Sequence, residues 1–108
     1  MFETAELSRE RCQPGAPALS MEEASELLKA LSPEWRSEEG RLRRDYRLRG
    51  FGEPVALAVR IALLAEREDH HPELRLGYGH LGVELTTHSA GGLSRNDFIL
   101  AAKIDALS

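Results

Sequence analysis

The stretch Val55–Ala65, "VALAVRIALLA", would be apolar nearly all the way round a helix, with Arg60 as its only interruption. A surface helix ordinarily hides one stripe and shows water the rest. One sheet face cannot cover so much apolar surface, so part of this helix is expected to pack against another subunit. It should run from about Phe51 to Asp69. Either Gly50 caps it with Glu53 at the third position, or Pro54 is its first helical residue. At the far end Pro72 pushes the residue before it out of the α region, so winding must stop near His71.

The flanking segments read as hairpins. Trp35–Glu38 and Arg41–Arg49 pair around Gly40. In the second of these, Leu42, Tyr46 and Leu48 share one face, and Arg43, Asp45, Arg47 and Arg49 the other. That alternation suits an antiparallel sheet with one wet side, and the strand's arginines read as a solvated face or an anion-binding patch. Leu74–Tyr78 and Leu81–His88 form the second hairpin, with Gly79-His80 as the centre of a type II′ turn. Helices close the pattern at both ends. Ser20-Met21-Glu22-Glu23 fits a capping box ahead of Ala24, Leu27, Leu28 and Leu31. Ser94 caps a last helix with Leu100, Ile104 and Leu107 along one side. The expected order is helix, two strands, helix, two strands, helix. Residues 1–19, with Pro14, Gly15 and Pro17, read as an irregular lead-in, and 20–108 as a single domain.

The chain is 42% hydrophobic and 30% charged with net charge −4, a balance that argues against nucleic acid as a partner. No apolar run is long enough to span a bilayer and no signal peptide opens the sequence. Cys12 is the only cysteine, so no internal disulfide can form and a cytoplasmic location is expected. Its thiol reads as inert, in a loose arm.

All four histidines fall between His70 and His88, two of them in "DHHPE" at the end of the long helix. Such clustering means a metal site, an acid–base site or an accident. His70 and His71 would point about 100° apart, so they cannot address one atom in the same way. Glu66, four residues before His70, should lie on the same helix face and orient or tune that imidazole. A purely structural reading also stands: a His-His-Pro at a helix terminus caps carbonyls and favours the dipole. A metal reading would join Glu66, His70 and His88, but nothing resembles a zinc signature. His80 falls at a hairpin tip and needs no function. His88 lies at a strand end beside Thr86 and Thr87, opposite in phase to the leucines. Asp97, three residues after Ser94, is explained by helix capping alone.

Together the spacing is more specific. Glu66, His70-His71-Pro72, Tyr78, His88 and Asp97 stand in an order that resembles the signature of the pterin-4a-carbinolamine dehydratases. "LLAEREDHHPE", "ELTTHSAGGLSRNDF" and "ILAAKIDAL" are similar to the corresponding family segments, over roughly Leu19 to Leu107, and the Cys-containing lead-in is similar to bacterial members. Leu74 departs from the aromatic residue of several relatives.

The resemblance implies an α+β fold of two layers, with helices on one face of a four-stranded antiparallel sheet. It implies assembly as a homodimer or homotetramer, with sheet edges pairing and long helices meeting. The implied reaction is loss of water from a 4a-hydroxytetrahydropterin to give quinonoid dihydropterin, which recycles the cofactor of aromatic amino acid hydroxylases without metal or organic cofactor. By the same resemblance His70 and His88 would be the acid–base pair, with His71 holding and polarising the pterin. Glu66, Asp69, Pro72, Thr86, Thr87 and Asp97 would line or orient the site. The resemblance leaves two alternatives: an interaction or co-regulatory protein, with the hydroxylase itself among its partners, using helix positions such as Leu57 and Ile61; or action on another pterin, as in molybdopterin metabolism.

Overall fold

The structure, a computed structural model, describes residues 4–107. Residues 1–3 and 108, at the ends of the two expected segments, lie outside the described residues.

Both hairpins form, and glycine decides where each one turns. Strand β1 (Arg36–Glu38) pairs antiparallel with β2 (Arg41–Arg47), and Glu38 faces Arg41. The two residues between, Glu39 and Gly40, both have positive φ, 50° and 74°. Two left-handed residues in a two-residue loop make the type I′ geometry that matches strand twist. In the second hairpin β3 (Glu73–Gly77) pairs with β4 (His80–Leu85), and Gly77 faces His80. The turn is therefore Tyr78-Gly79, one residue earlier than the sequence pattern suggests. Gly79 takes φ +80° in the second central position, and its carbonyl accepts from Leu48 N at 2.9 Å. That tie to the end of β2 fixes the register and puts His80 in the strand.

The sheet order is β1-β2-β4-β3, antiparallel throughout. Leu42, Leu81, Val83 and Leu85 point to the helical layer and are buried. The opposite face carries charge. Arg43 Nε meets Glu84 at 2.8 Å, Arg41 flanks the same carboxylate, and Arg36 meets Asp45 at 3.4 Å. Each such exposed pair contributes little alone, but together they make that face a charged, solvated one. Arg44 is the exception among the strand's arginines. It shares the Leu42–Tyr46 face, stacks over the Tyr46 ring at 4.2 Å, and donates to Asp105 Oδ1 at 2.6 Å. Asp105 also accepts from Trp35 Nε1 and Ser32 N. One carboxylate thus joins the last helix to the first hairpin.

The helical layer holds α2 (Met21–Leu28), α3 (Gly52–Glu68) and α4 (Arg95–Asp105). The Ser20–Glu23 capping box is present, with both reciprocal bonds made. Phe51 occupies the cap position of α3, Pro54 lies in its first turn, and Glu53 reaches back to accept from Arg49 N at 2.8 Å. Pro54, Ala58, Ile61 and Ala65 form its buried stripe. Val59 and Leu63 remain 52% and 62% exposed. The apolar excess expected from the sequence therefore faces outward at these two positions. Ile61 is fully buried and Leu57 partly so, which removes Ile61 as a position from which a partner could be met.

The lead-in is neither wholly irregular nor loose. It opens with a helical turn, α1 (Thr4–Leu7), which packs Leu7, fully buried, into the core beside α4. An apolar plug at that position offsets the entropy of ordering the chain after it.

Candidate active site

The site is built from the end of α3, the loop after β4 and the start of α4. Helix α3 stops at Asp69, which adopts φ 52°, ψ 41°. His70 N then donates to Ala65 O at 3.2 Å, the long return bond that closes a helix through a left-handed residue. Asp tolerates this conformation better than most side chains. The consequence reaches the chemistry, because the left-handed step breaks helical phase. His70 does not stack under Glu66. Instead Glu66 Oε1 meets His71 Nε2 at 2.9 Å, both groups well exposed, and His70 turns inward. The expected Glu66–His70 pair is thus corrected to Glu66–His71, and a metal set resting on Glu66 and His70 loses its shared face. Among the described residues no cluster of three or more potential ligands is formed.

The partner of His70 is Asp97. Their Nε2···Oδ1 distance is 2.6 Å, with the imidazole 12% and the carboxylate 0% exposed. The other oxygen, Oδ2, accepts from Thr87 Oγ1 at 2.8 Å and from Ser94 N at 2.9 Å. Since the Thr87 hydroxyl donates to Asp97, it must accept from the Ser94 hydroxyl, 2.7 Å away. Asp97 is therefore a helix cap through one oxygen and an imidazole orienter through the other. A carboxylate on Nε2 selects the tautomer with its proton there, and leaves Nδ1 without a partner among the described residues. Held this way, the ring has one free nitrogen and a fixed plane.

Around His70 lies a hollow of about 210 Å3, lined also by Cys12–Ala16, Glu68, Asp69, Thr87, Ser89 and Asn96. His88 begins a 3₁₀ turn, His88–Ala90, and is exposed. It lines a neighbouring hollow of about 240 Å3 with Thr86, Gly91 and the Glu39–Arg41 turn. Thr87 borders both. Within one protomer the two imidazoles thus line adjoining hollows on either side of Thr87 rather than a single one. The Thr86 hydroxyl donates to Gly40 O at 2.8 Å, so its side chain secures the first hairpin. Pro72 fixes the exit toward β3, Asp69 is exposed at the bend, Tyr78 stands at the far turn, and His80 packs over Gly77 on the open sheet.

Sequence reasoning missed Ser94 as a bonded member of the cluster, and it missed the wall of Cys12–Ala16. The first had a visible signal in the Ser94–Asp97 spacing. The second had none, because a Pro-Gly-rich stretch carries no period that would dock it. Cys12 itself is partly buried, and burial with the Glu68 carboxylate nearby pushes its thiol up to about 12.

Residues 17–107 match the family described as pterin 4 alpha carbinolamine dehydratase. The chain belongs to that family. It is 41% identical to a protein of Nitrosomonas europaea provisionally named a pterin-4-alpha-carbinolamine dehydratase, over 99% of this chain and 97% of that one. A Paracoccus denitrificans protein of the same provisional name is 46% identical over 93% and 94%. Among solved structures, a transcriptional coactivator/pterin dehydratase from Brucella melitensis superposes with TM-score 0.76 at 32% identity, covering 82% of this chain and 96% of that one. A pterin dehydratase-like RuBisCO assembly factor shares the fold at TM-score 0.59 and 22% identity, over 68% and 88%. The family supports a pterin dehydratase, and its members' two-layer fold is the one described above.

Proposed function

We propose that this pterin dehydratase family member removes water from a 4a-hydroxytetrahydropterin by histidine acid–base catalysis. The observation that carries the proposal is the buried Asp97 carboxylate gripping His70 beside an open hollow. The reaction asks for little more than placed protons. The 4a C–O bond breaks as its oxygen takes a proton and leaves as water. The N5 proton is lost, and the C4a=N5 double bond forms with no change of oxidation state. One positioned imidazole for each transfer is worth about 10²–10⁴-fold.

His70, its plane fixed by Asp97, is one of these groups. His88 is the other, reached by a flat ring lying across Thr87. His71, steadied by Glu66, polarises the ring from the rim, with Asp69 and Pro72 setting the bend that aims it. The product would be quinonoid dihydropterin, returned in the cytoplasm to an aromatic amino acid hydroxylase. Val59 and Leu63 would be covered by a second copy in a homodimer or homotetramer or, in a separable role, by a partner protein.

The test is the decay of chemically generated 4a-hydroxytetrahydropterin. Wild-type protein should accelerate it, and His70→Ala should lose about two to four decades of that rate while remaining folded. Decay no faster than in buffer would remove the reading.

A further inference from the structure

The wall of the His70 hollow formed by Cys12–Ala16 lies ahead of residue 17, where the family match begins. It is held closely. Gln13 N donates to Asn96 Oδ1 at 2.9 Å, and Asn96 Nδ2 returns a bond to Gln13 O at 2.8 Å. Cys12 N donates to Glu68 Oε1 at 2.9 Å. Upstream, Arg95 grips both oxygens of Glu10, and downstream Ala18 bridges to Ser94. These anchors stand next to the bonded His70–Asp97 pair: Asn96 and Arg95 adjoin Asp97 on α4, and Glu68 lies two residues before His70. The strap is fixed to the same two helix ends that fix the pair.

Its chemistry contrasts with the rest of the lining, which is polar: the His70 imidazole, the Glu68 and Asp69 carboxylates, the Asn96 amide, Thr87 and Ser89. The strap offers Pro14, Gly15 and Ala16 and the Gln13 amide, none of which can titrate, and a cysteine whose thiol is pushed up to about 12 and cannot readily ionise. Such a wall can take no part in moving protons. What it chiefly does is admit or refuse volume. Gly15 sits at φ +71°, so the strap turns tightly, and Pro14 stiffens the residue beside that turn. A wall fixed before binding discriminates by size without first having to be ordered.

We infer that Cys12–Ala16 sets which pterins this chain accepts, by walling the space that receives the uncharged substituent carried on the ring beyond its reacting C4a–N5 edge. The inference rests on the dehydratase reading for the identity of the ligand and goes beyond it in naming what selects among pterins. Shape selection by a wall of this kind changes discrimination by about 10–200-fold per methylene-sized difference.

The experiment measures binding rather than turnover. Equilibrium dialysis gives Kd for two stable dihydropterins, one unsubstituted at C6 and one bearing a dihydroxypropyl chain, with wild type, Ala16→Leu and Gln13→Trp. Gln13 is anchored through its main chain, so Gln13→Trp leaves the strap's tether in place should Ala16→Leu fold poorly. The expected result is a change of tenfold or more in the ratio of the two Kd values, with Kd for the unsubstituted pterin within about threefold of wild type. An unchanged ratio in a folded variant overturns the inference. Wild-type protein that binds both pterins yet fails to dehydrate sinks the dehydration reading and leaves the strap to be judged on the ratio. Wild-type protein that binds neither sinks both.

Discussion

Cys12 gives the sharpest test of whether the lead-in is as firmly seated as the structure has it. Burial first, and the Glu68 carboxylate second, raise its thiol from an ordinary 9.0 to about 12. At pH 8 that cuts the thiolate by about a thousandfold. A more basic thiolate is also a better nucleophile, and a Brønsted slope of about 0.4–0.5 returns about 15–30-fold. Alkylation by iodoacetamide should therefore run about 30–60-fold slower in the native protein than in the same chain unfolded in urea. Mass spectrometry over time at pH 8 reads both rates. Glu68→Gln keeps an acceptor for Cys12 N but removes the nearby charge. It should recover part of the rate and not all of it, because burial is the larger cause. Equal rates in native and unfolded wild type would refute the seating of Cys12 against α3 and α4, and the strap argument with it.

Three further outcomes are expected. Asp105→Ala leaves the Arg44 guanidinium, 14% exposed, without the partner it holds at 2.6 Å, and should cost about 3–5 kcal/mol in urea unfolding; a loss under about 1 kcal/mol would mean the pair is not buried as described. Ile61→Ala should cost about 2–5 kcal/mol and Leu63→Ala under about 0.5 kcal/mol within a protomer, so a Leu63→Ala loss that grows with protein concentration would place a subunit contact on α3. The Cys12 thiol and, by burial, the Tyr46 phenol are both raised in the folded state. Their contribution to stability is complete below about pH 9 and falls as pH rises toward 12, since the unfolded chain loses these protons first. Thermal melts from pH 8 to 11 check it, and Cys12→Ser should flatten part of that decline.

Much of the fold was legible because it is written in periods. Ala24, Leu27, Leu28 and Leu31 announced α2, the alternation of Leu81, Val83 and Leu85 announced β4, and the surplus on α3 emerged as exposed Val59 and Leu63. What went astray lay where one backbone angle overrules a period. The second hairpin turned at Tyr78-Gly79 because Gly79 is bonded to the end of β2, a tertiary tie that no local pattern reports. The Glu66–His70 pairing failed because Asp69 takes a left-handed angle, so counting by fours across it has no meaning. Asp97 was read correctly as a cap. That the same carboxylate holds His70 depends on a contact across 27 residues, which spacing alone does not specify. The docking of the lead-in was invisible for the same reason.

Asp97 serves α4 with one oxygen and His70 with the other, and this has a bearing on how such a domain could change trade. A descendant that abandoned chemistry while keeping its shape could discard His71 or His88 at little structural expense, since both stand in water. It could not so easily discard Asp97, whose loss would loosen a helix together with the imidazole. Retired versions of this domain should therefore be recognised by worn rims around an intact anchor.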